Sequence, residues 1–176
     1  MGKRITSSAA LVLAFGFAGF ASAANFNRPA DTYGPVVNDI LQQAGADLRF
    51  RLDRCSAMPD LRCRFSSQRV AVVVQGQEAP PRIGRIIIAT DLLQDHPRGL
   101  PHEAVTDALI TLGATMMAFD PQLQREQRDQ LISALAEGVH SSGQSEGSGV
   151  DADYVVALHQ TASTLLVITV APKPGR

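Results

Sequence analysis

Lysine is nearly missing from this sequence. Of its 16 basic residues only Lys3 and Lys173 are lysines, so wherever the chain needs a fixed cation it uses a guanidinium group. Cysteine is scarce as well. Cys55 and Cys63 are the only two, at a spacing that is not Cys-x-x-Cys and outside any thioredoxin-like βαβ context. Positive charge is not in excess, because 17 acidic residues stand against the 16 basic ones. That balance argues against a nucleic-acid binder or a polybasic membrane binder. No pair of histidines sits four apart to hold a zinc ion on a helix, and the Gly-rich stretch 143–149 is followed by no Lys-Ser/Thr that would make it a phosphate cradle. No internal repeat and no cofactor motif is found.

What is present begins with a leader. Lys3 and Arg4 precede an uncharged apolar stretch from Ala9 to Phe20, and Ala21-Ser22-Ala23 stand before Ala24. This is the order of n-region, h-region and small-residue cleavage site, so residues 1–23 are expected to be a signal peptide that is removed. A retained anchor would want about 20 apolar residues, more than this stretch supplies. No cysteine stands at the cleavage site to accept a lipid. Residues 24–176 then form one globular domain of 153 residues with 14 basic and 17 acidic groups, a net charge of −3. A periplasmic or secreted location follows, with Cys55 and Cys63 joined as a disulfide. Closing so short a loop is worth about 2–3 kcal/mol.

The element pattern is α-β-β-β-α-α-β-β. Gly34-Pro35 opens a helix with Val36, Val37, Ile40, Leu41 and Ala44 on one stripe, ended by Gly45. Leu48, Phe50 and Leu52 alternate with Arg49, Arg51 and Asp53, and Leu61, Cys63 and Phe65 alternate with Arg62 and Arg64, which predicts a hairpin. Cys55 is in phase with the arginines of its strand while Cys63 is in phase with Phe65, so a bulge or strand end near Cys55 is required. The apolar phase then switches to Val70, Val72 and Val74, which predicts one long strand bent at Ser66-Ser67. A further strand covers 83–90. Helices are expected over 102–119 and from Asp120-Pro121, as N-cap and first position, to about Gly138. Residues 141–149 are predicted to be a flexible loop, and 154–158 with 165–170 a closing hairpin. Runs of strands rather than strict alternation imply an α+β fold, an antiparallel sheet of about five strands with three helices packed mainly on one face. Such an order occurs among secretion chaperones and small immunity-type proteins, an analogy of fold alone.

Chemistry-bearing residues are sparse. His96, His102 and His159 with Asp91, Asp95, Glu103 and Asp107 are the groups from which a metal or acid/base site would be built, yet His102 and Glu103 are adjacent and splay apart on a helix. Glu103 and Asp107 are accounted for by the positive end of a helix dipole. The pair Met116-Met117 is expected in the core as gap filler. Nucleophilic catalysis needs Ser or Cys beside a base and an orienting acid, and no such set is recognised.

The positive feature is a concentration of arginine. Residues 48–85 hold eight of them, and Arg49, Arg51, Arg62 and Arg64 are expected on the outward side of one hairpin with Arg85 near. Guanidinium groups pair with carboxylates, phosphates and aromatic faces. The expected function is therefore a non-enzymatic exported protein, accessory, chaperone-like or immunity-like, that binds a protein or acidic ligand at this face, with neither nucleic acid nor membrane as partner. The alternative is a metal- or small-ligand-binding protein using His96 and His102 in the 91–103 loop.

Overall fold

The computed structural model describes residues 24–57, 61–77, 82–92, 101–160 and 163–174. A 3₁₀ turn at Ala30–Thr32 leads into helix α1, Tyr33–Gln43, and is followed by strands β1, Arg51–Ser56, β2, Arg62–Ser66, β3, Ala71–Gln77, and β4, Arg82–Asp91. Helices α2, Pro101–Phe119, and α3, Arg125–Ser142, come next, and strands β5, Gln144–Ser148, β6, Ala152–Gln160, and β7, Thr164–Pro172, complete the order. The strands form one sheet in the order β1-β2-β3-β4-β7-β6-β5, antiparallel throughout. The class is α+β, with seven strands rather than about five.

Two strands escaped the sequence pattern for physical reasons. The expected long strand through Ser66-Ser67 is a hairpin: Ser67 and Val70 exchange hydrogen bonds through Ser67 N–H to Val70 O at 2.9 Å and through the Ser67 hydroxyl. Phe65 faces Val72 and Cys63 faces Val74, so every cross-strand pair joins an odd position to an even one. The change of apolar phase was the mark of a reversal, not of a bend. The second is β5. Its polar sequence reads as a loop, but Gln144, Ser145 and Glu146 pair with Ala157, Val156 and Val155.

The helices lie on one face and the core is between. Cross-sheet rows Cys63–Val74–Ile86–Val170–Tyr154 and Phe65–Val72–Ile88–Ile168–Val156 point into it, all of them buried. Burying each such side chain contributes about 1.5–3 kcal/mol. Tyr33, at the start of α1, is the hub that the helical stripe did not include. Its ring lies parallel to Phe119 at 5.9 Å and against Phe65 at 5.4 Å, and its hydroxyl is 3.0 Å from the Thr115 hydroxyl on α2. Leu52 is half exposed because β1 is an edge strand, and of the methionine pair Met116 is buried while Met117 is 43 % exposed.

The third helix begins later and ends later than expected. Gln124 is its N-cap, in a reciprocal capping box with Gln127, and Gly143 with φ 77° closes it. Asp120, expected to cap α3, is fully buried and instead receives the Val150 and Asp151 N–H groups at 3.0 Å and the Tyr154 hydroxyl at 3.0 Å. It thereby ties the end of α2 to the β5–β6 turn. Gly138 lies inside α3 rather than at its end, since a Cβ there would collide with the Ser145 side chain on β5.

Cys55 and Cys63 are directly opposed on β1 and β2 and joined as a disulfide, with Cα atoms 4.0 Å apart. The required bulge falls between Leu52 and Arg54, leaving Asp53 as the extra residue. A disulfide is compatible with an oxidising, exported location. Among the described residues no helix is long and apolar enough to cross a membrane.

Candidate functional site

The sheet face away from the helices carries most of the arginines singled out from the sequence and is the candidate site. One cross-strand row can be followed over all seven strands: Arg54, Arg64, Val73, Ile87, Thr169, Val155 and Glu146. Two cations stand at one edge, one anion at the other, and the middle is apolar but for Thr169. A neighbouring row carries Arg62, Gln75 and Arg85 on β2, β3 and β4, and Asp153 opposite Ser148 on β6 and β5. The row on the other side runs from Arg51 and Ser66 through the small apolar Ala71, Ala89, Val167 and Ala157 to Gln144. Val73, Ile87, Val155 and Val167 are half-buried and belong to no part of the helix-side core. Strand and residue spacing make this apolar centre about 20 Å by 14 Å, on the order of 300 Å², the size at which an exposed patch on a monomer is commonly functional.

The structure brings together four of the five arginines singled out from the sequence: Arg62, Arg64 and Arg85, with Arg51 at the edge of the third row opposite Ser66. Arg54 joins them. Its phase with the aliphatic positions argued against it, and the bulge at Asp53 turns it to the arginine side. Arg64 Nε is 3.4 Å from Asp53, an exposed pair that contributes little to stability. Arg49 is not on this face: it precedes β1 and its guanidinium donates to the Ala46 and Leu48 carbonyls at 2.8 and 2.6 Å. Arg51 stands at the first position of β1 and lines, with Arg49, Leu48, Arg69 and Asp107, a groove of about 530 Å³ at the sheet's end.

In that groove the cation is already spoken for. Arg69 Nε donates to Asp107 at 2.5 Å, and Glu103 lies 3.2 Å from its guanidinium. The hydrogen bond that Arg69 donates to Asp107 pushes the Arg69 pKa above its ordinary value. Glu103 and Asp107 therefore act as a clamp on the β2–β3 turn in addition to lying in the first turns of α2. Burial, and then the charge of Asp120, raises the Tyr154 hydroxyl well above the ordinary tyrosine range, so it is a donor to that carboxylate and not a base.

The histidine reading finds no cluster. His96 and Asp95 lie outside the described residues, His102 is exposed on the first turn of α2, and Asp91 and His159 flank Leu165 on three adjacent strands. Among the described residues no group of three or more His, Cys, Asp or Glu side chains could hold a metal ion. One motif went unrecognised in the sequence: Gly143-Gln144-Ser145-Glu146-Gly147 has the spacing of a nucleophile elbow. An elbow is a tight strand-to-helix turn. Here the order is helix to strand, and Ser145 is mid-strand opposite Val156 with its side chain against Gly138. The spacing is accidental to the packing of α3 on β5.

No family model, curated protein sequence or solved structure matches this chain.

Proposed function

We propose that this is an exported, non-enzymatic binding protein whose open sheet face docks another protein, in an accessory, chaperone-like or immunity-like role. The row from Arg54 and Arg64 through Val73 and Ile87 to Val155 is the observation that carries this: an apolar floor with guanidinium groups along one side and, among the described residues, no helix over it. An apolar centre with a charged rim is the anatomy of a protein interface, and arginine is the cation such interfaces favour. Export follows from the leader at residues 1–23 together with the disulfide, with the leader removed after Ala23.

The test is native mass spectrometry of the protein taken from the exported fraction of its own cells, as wild type and as Arg62→Glu/Arg64→Glu. The expected wild-type species starts at Ala24, is two hydrogens lighter than the reduced chain and carries a bound polypeptide that the variant loses while its circular dichroism is unchanged. A polypeptide retained by the variant would refute docking at this face. An added metal or small-molecule mass with no polypeptide would move the site to His102 and the 91–103 segment.

A further inference from the structure

We propose that the groove at the end of the sheet binds a carboxylate carried on an apolar body, with Arg49 and Arg51 taking the carboxylate and Ile110 the body. The groove lies beyond the apolar centre of the open face, and the inference does not rest on docking there. Its basis is which charged groups in the groove are already paired and which are not.

Three segments wall this groove of about 530 Å³: the lead-in to β1 from Ala46 to Arg51, the β2–β3 turn from Ser66 to Arg69, and Asp107 with Ile110 on α2. Arg69 is fully engaged. Asp107 takes its Nε and Glu103 its Nη1, so it fixes the turn while its own charge is balanced. Arg49 is engaged on one side only. Its Nη1 donates to the Ala46 and Leu48 carbonyls, which holds the guanidinium plane and leaves the Nε–Nη2 edge without a partner among the described residues. That edge carries the two parallel N–H groups that meet both oxygens of a carboxylate, and a guanidinium already held in place loses little freedom on doing so. Arg51 is exposed and forms no hydrogen bond or ion pair among the described residues, and the same is true of Asp47. With Arg69 balanced by Asp107, two guanidinium groups in the groove stand against one carboxylate, a surplus of one positive charge.

That surplus selects a ligand with a single negative charge. A carboxylate matches it, whereas a phosphate monoester brings about −1.5 to −2 at neutral pH. Volume selects the rest of the ligand. The groove falls within the roughly 300–1,000 Å³ of small-molecule sites, so a bare inorganic ion leaves most of it to water. An apolar body has a place to lie, because Ile110 lines the groove and is 39 % exposed, on a helix that carries no charged residue from Ala108 to Phe119. Two sources offer this chemistry: a free acid with an aliphatic chain, and the carboxyl terminus of a polypeptide that ends in an apolar residue.

The experiment is a heteronuclear NMR titration, at low salt, of the oxidised chain lacking residues 1–23. The probes are octanoate, its uncharged isostere octanamide, acetate, and N-acetyl-Ala-Leu with a free carboxyl group. Octanoate or the peptide is expected to shift the amides of residues 46–51, 66–69 and 107–110 with a Kd of about 1 mM or below, and the tighter of the two identifies the source. Octanamide and acetate should each bind at least about 10-fold more weakly, one lacking the charge and the other the body. Arg51→Gln and Ile110→Ser replace exposed side chains, so each should keep a native spectrum and weaken binding about 10-fold. No saturable shift with octanoate or the peptide up to about 10 mM overturns the site, as do shifts centred on other residues. Octanamide binding as tightly as octanoate, or unchanged affinity in Arg51→Gln, overturns the carboxylate contact. Unchanged affinity in Ile110→Ser overturns the apolar one. Docking on the open face is read separately, since Arg62→Glu/Arg64→Glu leaves Arg49, Arg51 and Ile110 in place.

Discussion

Raising the pH above the ordinary tyrosine range should unfold this protein in a single step that its own two tyrosines report. The chain has no tryptophan, and Tyr33 and Tyr154 are its only tyrosines. Both are buried, at 0 % and 1 % exposure, one between aromatic rings and beside Thr115, the other donating to the Asp120 carboxylate. Burial raises both folded-state pKa values, and for Tyr154 the adjacent carboxylate adds to it. A raised folded pKa means the native state keeps protons that the unfolded chain releases. The stability involved is fully present below the unfolded value of about 10 and is lost as pH rises past it. Each tyrosine then removes about 1.4 kcal/mol by pH 11 and about 2.7 kcal/mol by pH 12, with a limiting slope for the pair of about 2.7 kcal/mol per pH unit.

By pH 12 the two together remove about 5.5 kcal/mol, a large part of the 5–15 kcal/mol that holds a typical domain folded. Tyrosinate absorbance and far-ultraviolet circular dichroism, followed on one sample, should change together and cooperatively. Tyr154→Phe should halve the pH slope of the unfolding free energy in that range, to about 1.4 kcal/mol per unit. A smooth absorbance titration centred near pH 10, with the circular dichroism still native, would refute the burial of the two hydroxyls as the cause.

The Asp120 carboxylate holds three donors from the β5–β6 side, so Asp120→Ala, which strands them in the interior, should lower stability by about 3–5 kcal/mol in urea unfolding. Removing the Cys55–Cys63 bond as Cys55→Ser/Cys63→Ser should cost about 2–3 kcal/mol and speed amide exchange first in β1, an edge strand. Two helix glycines should respond with opposite sign. Gly113→Ala, whose Cβ would meet only Ile132 at 3.6 Å, should raise the melting temperature by the helix propensity of alanine, about 0.5–1 kcal/mol, whereas Gly138→Ala should lower it by driving Ser145 and β5 off α3.

Much of the fold was legible because apolar periodicity survives wherever one side of an element is buried. Val37 and Leu41 on α1, Leu112 and Met116 on α2, and the alternation through Phe65, Val72 and Ile88 all place their residues correctly. The pattern fails where burial depends on backbone contact instead of side-chain hydrophobicity. The polar strand β5 is held by pairing to β6 and by close approach to α3 at Gly138 and Gly147, and glycines and serines carry no apolar signal of that. Asp120-Pro121 failed differently. The dipeptide is a good local start for a helix, but a buried carboxylate facing two N–H groups and a hydroxyl outweighs one capping bond.

The candidate site was half legible for the same reason. Alternation alone sends Arg62 and Arg64 outward, and the ladder carries Arg85 to the same side through Gln75. Arg54 could be placed only by the bulge at Asp53, which sequence implies through the clash of phase between Cys55 and Cys63 but does not locate. The opposite edge was out of reach, because Glu146 sits in the stretch taken for a loop. Yet that edge changes the character of the surface. With Arg54 and Glu146 at the two ends of one registered row, the face is no longer simply basic; it is a polarised surface with an apolar centre.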